Sequence, residues 1–451
     1  PAPPPSVGRG PQGAQPSLGR PCTGLNCCMT FSSLGLSPAL LRALERQHLH
    51  TPTPVQFQAI PAVLAGHDAM ARAQTGSGKT LAFGLPLLHK LAEEPAQVPR
   101  QVRALVLVPT RELAIQVGAA LRDLANQLPQ SIRISVVFGG VSINPQMLAM
   151  RGGTDVVVAT PGRLLDLVHH NALTLSATQI LVLDEADRLL ELGFEAELKR
   201  LLAQLPANRQ SLFFSATFAP AVAALAQSML RNPVQIEIGA TDQEKPDITQ
   251  QAILVDTPRR TQLLRHLITI HKWKRVLVFV ATKHAAEIVA DKLRKARIYA
   301  EPFHGELSQG KRSQVLSDFK ASRLKVVIAT DMASRGLDIA QLPVVVNFDL
   351  PRSADDYTHR IGRTGRAGEA GLAVSFVSAE TEAHFRLIEK RHGLQVPLEV
   401  AEGFEPEMPI GAADAMSGDA DRSAQPAPSN TGGIKGKRPS KKDKLRAQAA
   451  R

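Results

Sequence analysis

The sequence predicts an α/β fold made of two tandem units, each with a parallel β-sheet flanked by helices, between patternless tails. Three observations carry that expectation. Short apolar runs alternate with helix-length segments over about residues 104–214 and again over 251–376, and alternation at this spacing gives βαβ units on a parallel sheet. A polar stretch at 239–248 interrupts the pattern and reads as a linker. The run Leu181-Val182-Leu183 ends on Asp184-Glu185 and, two residues on, Asp187. A short apolar run of this kind reads as a buried strand, and open α/β sheets bind ligands at the carboxyl ends of their strands.

Bulk composition narrows the function classes. At 451 residues the chain is long enough for about three domains, and its hydrophobic (44%) and charged (21%) fractions are those of a globular protein. No apolar run approaches the roughly 18 residues of a membrane span, and no apolar leader core stands near the start. The expected compartment is the cytoplasm, with no membrane partner and a monomeric state. Cys22, Cys27 and Cys28 all precede residue 29, so neither disulfides nor zinc build the body. The net charge of +12 is unevenly spread: residues 435–451 hold eight Lys/Arg against one Asp, and 401–434 hold six acids against one Arg. Residues 29–400 keep +8 of their own, a balance that suggests a polyanionic partner, nucleic acid first. Aromatics are only 4%, which favours contact with a nucleic-acid backbone over stacking on splayed bases.

In chain order, residues 1–29 are Pro/Gly/Ser-rich and expected to be disordered; Met29 opens the patterned part, and what precedes it reads as upstream sequence. The first unit is expected over 30–238. Ser37-Pro38 is a cap and first turn, with Leu40, Leu41, Leu44 and Leu49 following at near-helical spacing. Thr51-Pro52-Thr53-Pro54-Val55-Gln56 is a rigid turn into another helix, where the Gln56 amide could make two hydrogen bonds to an adenine edge. Ala73-Gln74-Thr75-Gly76-Ser77-Gly78-Lys79-Thr80 precedes an apolar helix over 81–88. It is a phosphate loop: glycines turn backbone N–H groups toward phosphate oxygens, Lys79 reaches the β/γ-phosphates and the Thr80 hydroxyl reaches Mg²⁺. The strict pattern begins with Gly, where this chain has Ala73.

Strands are then expected at 104–108, 132–137, 155–159, 180–183 and 211–214. Each ends in a small polar cluster: Pro109-Thr110-Arg111-Glu112, Gly139-Gly140, Thr160-Pro161-Gly162-Arg163, the three acids, and Ser215-Ala216-Thr217. Three acids at one strand end repel unless a cation neutralises them, and Mg²⁺ shared with nucleotide phosphates fits carboxylate ligands. The second unit, 249–400, restarts with strands at 251–255, 276–280, 300–303, 325–329, 344–347 and 372–376. It lacks a phosphate loop and carries Ala329-Thr330-Asp331, Ser334-Arg335-Gly336-Leu337-Asp338 and a run from His359 to Arg366 with three arginines. Arginines of the second unit are therefore expected to face phosphates held by the first. Residues 401–451 form a second disordered tail with a basic end.

This ordered set of motifs resembles the DEAD-box ATP-dependent RNA helicases of superfamily 2, most closely the bacterial RhlE type, over about residues 31–395. The resemblance implies two RecA-like domains, with ATP and Mg²⁺ as cofactors and RNA as partner. It implies that Phe31 packs on the adenine and Gln56 reads it, that the loop 73–80 holds the phosphates, and that Asp338 contacts the ribose. Asp184 would coordinate Mg²⁺ partly through water, with Thr80, and Glu185 would orient and deprotonate the attacking water. Arg363 and Arg366 would be arginine fingers, with His359 beside them. Ser215 and Thr217 would link hydrolysis to strand separation, and Asp187 would fix neighbouring groups, either Ser215 and Thr217 or His359. Thr110, Arg111, Gly140, Thr160, Arg163, Arg312 and Thr330 would grip RNA phosphates and sugars. Where the family has Gly-aromatic before its Pro-Thr-Pro turn, this chain has His48 and Leu49.

The functional expectation is an RNA-dependent ATPase that unwinds short duplexes locally. The alternative is an ATP-gated RNA clamp with little net unwinding. A DNA helicase is disfavoured by the Gln56 element and by contacts aimed at phosphate and 2′-OH. Proteins of ribosome assembly or RNA decay are the further partners such a function would allow.

Overall fold

The computed structural model describes residues 30–73, 76–95, 98–238, 247–334, 342–365 and 370–406. Both tails, most of the expected linker, and Gln74, Thr75, Asp338 and Arg366 of the expected site lie outside the described residues.

Two seven-stranded sheets form, and every pairing in them is parallel. The first contains β1 (Ala69–Arg72), β2 (Ala104–Leu107), β3 (Ile134–Val137), β4 (Val156–Ala159), β5 (Ile180–Leu183), β6 (Gln210–Ser215) and β7 (Val234–Glu237). The second contains β8 (Ile248–Leu254), β9 (Val276–Val280), β10 (Ala300–Phe303), β11 (Val326–Thr330), β12 (Val344–Asn347), β13 (Gly371–Val377) and β14 (Leu398–Val400). The spatial orders are β3-β4-β2-β5-β6-β1-β7 and β10-β11-β9-β12-β13-β8-β14. Adding seven to each number of the first order gives the second, so the two units repeat one topology.

Helices cover both faces of each sheet, as parallel strands require. In the first unit, core side chains collect on one face around Val106, Val158 and Val182 and on the other around Leu105, Val157 and Leu183. Neighbouring residues of one strand thus belong to opposite cores, the two-residue period of a strand buried on both sides. The helix Lys79–Glu93 follows the phosphate loop, and Thr110 caps the helix Arg111–Ala125 by accepting the Leu113 N–H at 3.3 Å. No helix among the described residues is long and apolar enough to cross a membrane.

The parallel arrangement places the sequence motifs. In the first sheet, the carboxyl ends of β5, β6 and β1 and the segments after them carry the acids, Ser215/Thr217 and the phosphate loop; those of β3, β4 and β2 carry Gly139-Gly140, Thr160/Arg163 and Thr110/Arg111. Each trio of strands is contiguous, so the carboxyl edge divides into a half holding the nucleotide motifs and a half holding the expected RNA contacts.

Candidate functional site

The phosphate loop is shaped by two left-handed glycines, Gly76 at φ 86° and Gly78 at φ 91°. Side chains other than glycine are strained there. At Gly78 a Cβ would also lie 2.4 Å from Nε2 of Gln56, so that amide would have to give up its place. Gln56 is buried and bonded at both ends: its Oε1 accepts the Thr53 N–H at 2.9 Å and its Nε2 donates to the Gly78 carbonyl at 3.0 Å. The Gln56 amide thus ties the turn at Thr53 to the phosphate loop. Phe31 is only 4% exposed and packs in the domain core, anchoring that corner.

Lys79 is buried, donates to the Ala73 carbonyl at 3.1 Å and lies 3.9 Å from Oδ1 of Asp184. Thr80 and Ser77 are half-buried beside it. Asp184 leaves the end of β5 and accepts the Glu185 N–H at 2.9 Å. Glu185 adopts left-handed geometry (φ 50°, ψ 53°) although it is not glycine. Such conformers cost about 1–3 kcal/mol and collect at functional sites. The Glu185 Oε2 is buried without a hydrogen-bond partner, and its nearest cation is Nε of Arg188 at 3.9 Å. Asp187 turns away from this group. Its Oδ2 accepts the Thr217 N–H at 3.0 Å and hydroxyl at 3.1 Å, while its own N–H donates to Ser215 Oγ at 3.3 Å. The ends of β5 and β6 are thereby stitched together.

Burial, opposed by Lys79 and reinforced by Glu185 and Asp187, pushes the Asp184 carboxyl up to about 6. Because the folded value lies above the unfolded one, the group stabilises the fold fully only below 3.8, and that contribution is lost as pH rises through 6. Above pH 6 the penalty is about 3 kcal/mol at most. Asp184→Asn is therefore expected to raise the unfolding temperature of the nucleotide-free protein at neutral pH, at about 2–4 °C per kcal/mol for a domain of this size. Scanning calorimetry measures it, and an unchanged or lowered midpoint would reject burial as the dominant influence on Asp184.

The buried carboxylate of Asp184 and the hydroxyl of Thr80, beside the phosphate loop, are oxygen donors of the kind that suit a hard divalent cation shared with phosphate. Among the described residues no group of three or more His, Cys, Asp or Glu could hold a metal ion alone.

On the other half of the edge, the Arg111 guanidinium lies against Gly140, where a Cβ would come within 2.3 Å of it. Thr160 Oγ1 accepts the Gly139 N–H at 3.3 Å, and Arg163 donates to the Val141 carbonyl at 2.6 Å. The Nε and Nη1 of Arg163 are buried without hydrogen bonds. Across the domain boundary, Thr330 ends β11. Arg312 departs from its expected place on RNA: it is buried, with Nη2 2.9 Å from Oε1 of Glu112 and its guanidinium over the Phe303 ring at 5.0 Å. Glu112 is the residue after Arg111 and reaches it from the first domain.

A second interdomain contact involves His359, Arg360 and Arg363, which surround a small cavity with Asp331 and with Arg188 of the first domain. Arg360 grips both carboxylate oxygens of Asp331 at 2.6 Å and the Asp349 carbonyl at 2.6 Å. Burial, with Arg188 and Arg363 beside it, pushes the His359 ring down to about 4, so the ring is neutral at neutral pH. Glu112, Arg188, Asp331 and Arg360 had no expected role, although all four stand inside or next to the motifs.

Two family models match the chain: DEAD/DEAH box helicase over residues 53–225 and helicase conserved C-terminal domain over 259–368. A DEAD-box ATP-dependent RNA helicase CshA of Bacillus cereus is 38% identical over 361 residues, which is 80% of this chain and 68% of the relative. The chain belongs to the DEAD-box ATP-dependent RNA helicase family. A CshA of Geobacillus kaustophilus is also 38% identical and is covered to 76%. Among solved structures, S. cerevisiae Dbp5 bound to RNA and ADP BeF3 superposes with a TM-score of 0.71 at 30% identity, covering 86% of this chain and 97% of that one. Mss116p bound to ssRNA and AMP-PNP gives 0.74 at 27% identity, covering 84% and 80%. The helicase is thus an ATP-hydrolysing enzyme with two RecA-like domains.

Proposed function

We propose that the helicase unwinds short RNA duplexes locally, by closing its two domains around ATP and one RNA strand. The observation that carries this reading is the meeting of Arg188 from the first domain with His359 and Arg363 from the second. Phosphoryl transfer needs positioning and charge neutralisation more than covalent help. We assign Gln56 and Phe31 to the adenine pocket and residues 73–80, with Lys79, to the phosphates. Thr80 and Asp184 would hold the divalent cation, which neutralises phosphate charge when bound. Glu185 takes the proton of the attacking water; Arg363 and Arg366 neutralise the transferring phosphoryl group. Asp187, Ser215, Thr217 and His359 couple that chemistry to the interdomain contact, and Asp338 holds the ribose. With half of the machinery on each domain, hydrolysis depends on closure, and RNA spanning both carboxyl edges favours the same closed state as ATP, so each promotes binding of the other. Thr110, Arg111, Gly140, Thr160, Arg163 and Thr330 are read as the RNA contacts. A groove that fits one bent strand excludes the second. Domain limits of 30–238 and 249–400, a monomeric state, a cytoplasmic place and RhlE type within the family belong to the same proposal.

Steady-state ATPase assays without polymer, with RNA and with matched DNA test it. RNA alone is expected to stimulate turnover; equal stimulation by DNA would overturn the substrate class.

The clamp reading has one observation in its favour, the buried Arg312–Glu112 pair across the domains. Removing one partner of a buried pair costs about 3–5 kcal/mol, because the other charge is left uncompensated. Glu112→Ala is expected to lower ATPase at saturating RNA by roughly tenfold or more, a fraction of that penalty, with nucleotide-free RNA affinity within about twofold. Lost RNA affinity in place of lost turnover would put Glu112 in the RNA groove. Dwell times of RNA–ATP complexes then separate clamp from unwinder.

A further inference from the structure

The amino edge of the second sheet carries a basic cavity that the proposed mechanism leaves unused. It measures about 650 Å³ and is walled by Lys272, Lys274, Arg275, Arg323 and Lys325, with no carboxylate among the described lining residues. Arg275, Tyr299, Lys325 and Pro343, also in the wall, stand immediately before β9, β10, β11 and β12. These four strands are contiguous in the order β10-β11-β9-β12, so the cavity runs along the edge as a shallow trough. The expected RNA contact Thr330 ends β11 at the other edge, and a five-residue strand separates the two edges by about 16 Å.

We infer that this trough is a second contact for single-stranded RNA, holding backbone phosphates outside the ATP-dependent cleft, with Tyr299 stacking on a base. Cations along a groove beside an aromatic platform are the general means of holding a single strand without reading it. Tyr299 is 76% exposed. Trp273, also in the wall, is nearly buried and stacks on the His271 ring at 5.6 Å. Arg323 already pairs with Asp318 at 2.9 Å, so the lysines are the natural phosphate ligands. The chain's own acidic stretch is a poorer occupant. It spreads six carboxylates over residues 401–434, whereas RNA carries one phosphate per nucleotide. The inference rests on RNA being the substrate but concerns a different face. Its reach is RNA flanking the strand in the cleft, so that the enzyme stays on a long RNA while its domains open.

Lys272→Glu/Lys274→Glu and, separately, Tyr299→Ala test it in the full chain; all three side chains are exposed. Fluorescence anisotropy without nucleotide measures binding of a 10-nucleotide and a 40-nucleotide RNA, and ATPase is measured with each. The double variant is expected to bind the longer RNA about tenfold more weakly, with a shallower dependence of log affinity on log salt by about 1.4 for two lost phosphate contacts. Tyr299→Ala is expected to weaken it about fivefold with the salt slope unchanged. Stimulation of ATPase by the short RNA should persist in both. Unchanged affinity for the longer RNA would overturn the inference. So would a parallel loss of short-RNA ATPase, which would place the trough within the closing cleft. A third overturning result is faster proteolysis within 407–434 in the double variant at unchanged RNA affinity, which would make the acidic stretch the occupant. If wild-type ATPase ignores RNA altogether, the functional reading fails first.

Discussion

Glu185→Gln is expected to bind ATP within about twofold of the wild type and to lower turnover by about 10²–10⁴, the usual worth of a general base. The substitution keeps the size of the side chain and the left-handed backbone that presents it. It removes the carboxylate that accepts the proton. Glu185 is suited to that task by its surroundings: Oε2 is buried, accepts no hydrogen bond and has Arg188 no nearer than 3.9 Å. An acceptor already saturated by the protein would have to break a bond before helping water. Asp184 differs although it is adjacent. It accepts a backbone N–H and faces Lys79, so its charge is arranged to hold a cation. Single-turnover hydrolysis and nucleotide titration measure the two effects; turnover within tenfold of the wild type would take Glu185 out of this role.

The buried strands were legible because strands covered on both faces are uninterrupted apolar runs: 180–183 and 276–280 coincide with β5 and β9. Three strands were not. Ala69–Arg72, Val234–Glu237 and Leu398–Val400 are short, the first two mix exposed with buried positions and the third has no buried one, and β7 and β14 lie at sheet edges, where neither an apolar run nor a clean alternation is required. Loop motifs were legible for a different reason: phosphate-binding chemistry needs particular residues at contiguous positions, as in Gly76–Thr80 and Asp184–Asp187. The roles of the residues joined by the fold were harder to read. Nothing in the Gln56 neighbourhood announces that its amide closes on Gly78, twenty-two residues away. Arg312 is the clearest case. The family resemblance implied an RNA contact for it, but its side chain packs against Phe303 and meets Glu112, two hundred residues earlier. Local spacing shows which side chains are available, and only the tertiary arrangement shows which are already engaged.

Arg363→Ala is expected to reduce RNA-stimulated turnover by about 10³, the lower end of what an arginine finger contributes to phosphoryl transfer, while nucleotide-free RNA binding stays within about twofold. Arg363 follows the helix Ala354–Ile361, is 9% exposed, and shares a small cavity with His359 and with Arg188 from the first domain. A guanidinium there is held at the boundary before reaction, so little reorganisation is needed when charge shifts onto the phosphoryl oxygens. The neutral His359 beside it adds no competing positive charge. Arg363→Lys distinguishes catalysis from structure. A lysine keeps the charge but loses the planar fork, so a finger predicts poor rescue of kcat, whereas a merely structural cation predicts recovery of activity together with thermal stability. Stopped-flow phosphate release and calorimetry on both variants decide between them. Turnover within tenfold of the wild type in Arg363→Ala would move the role to Arg366 alone.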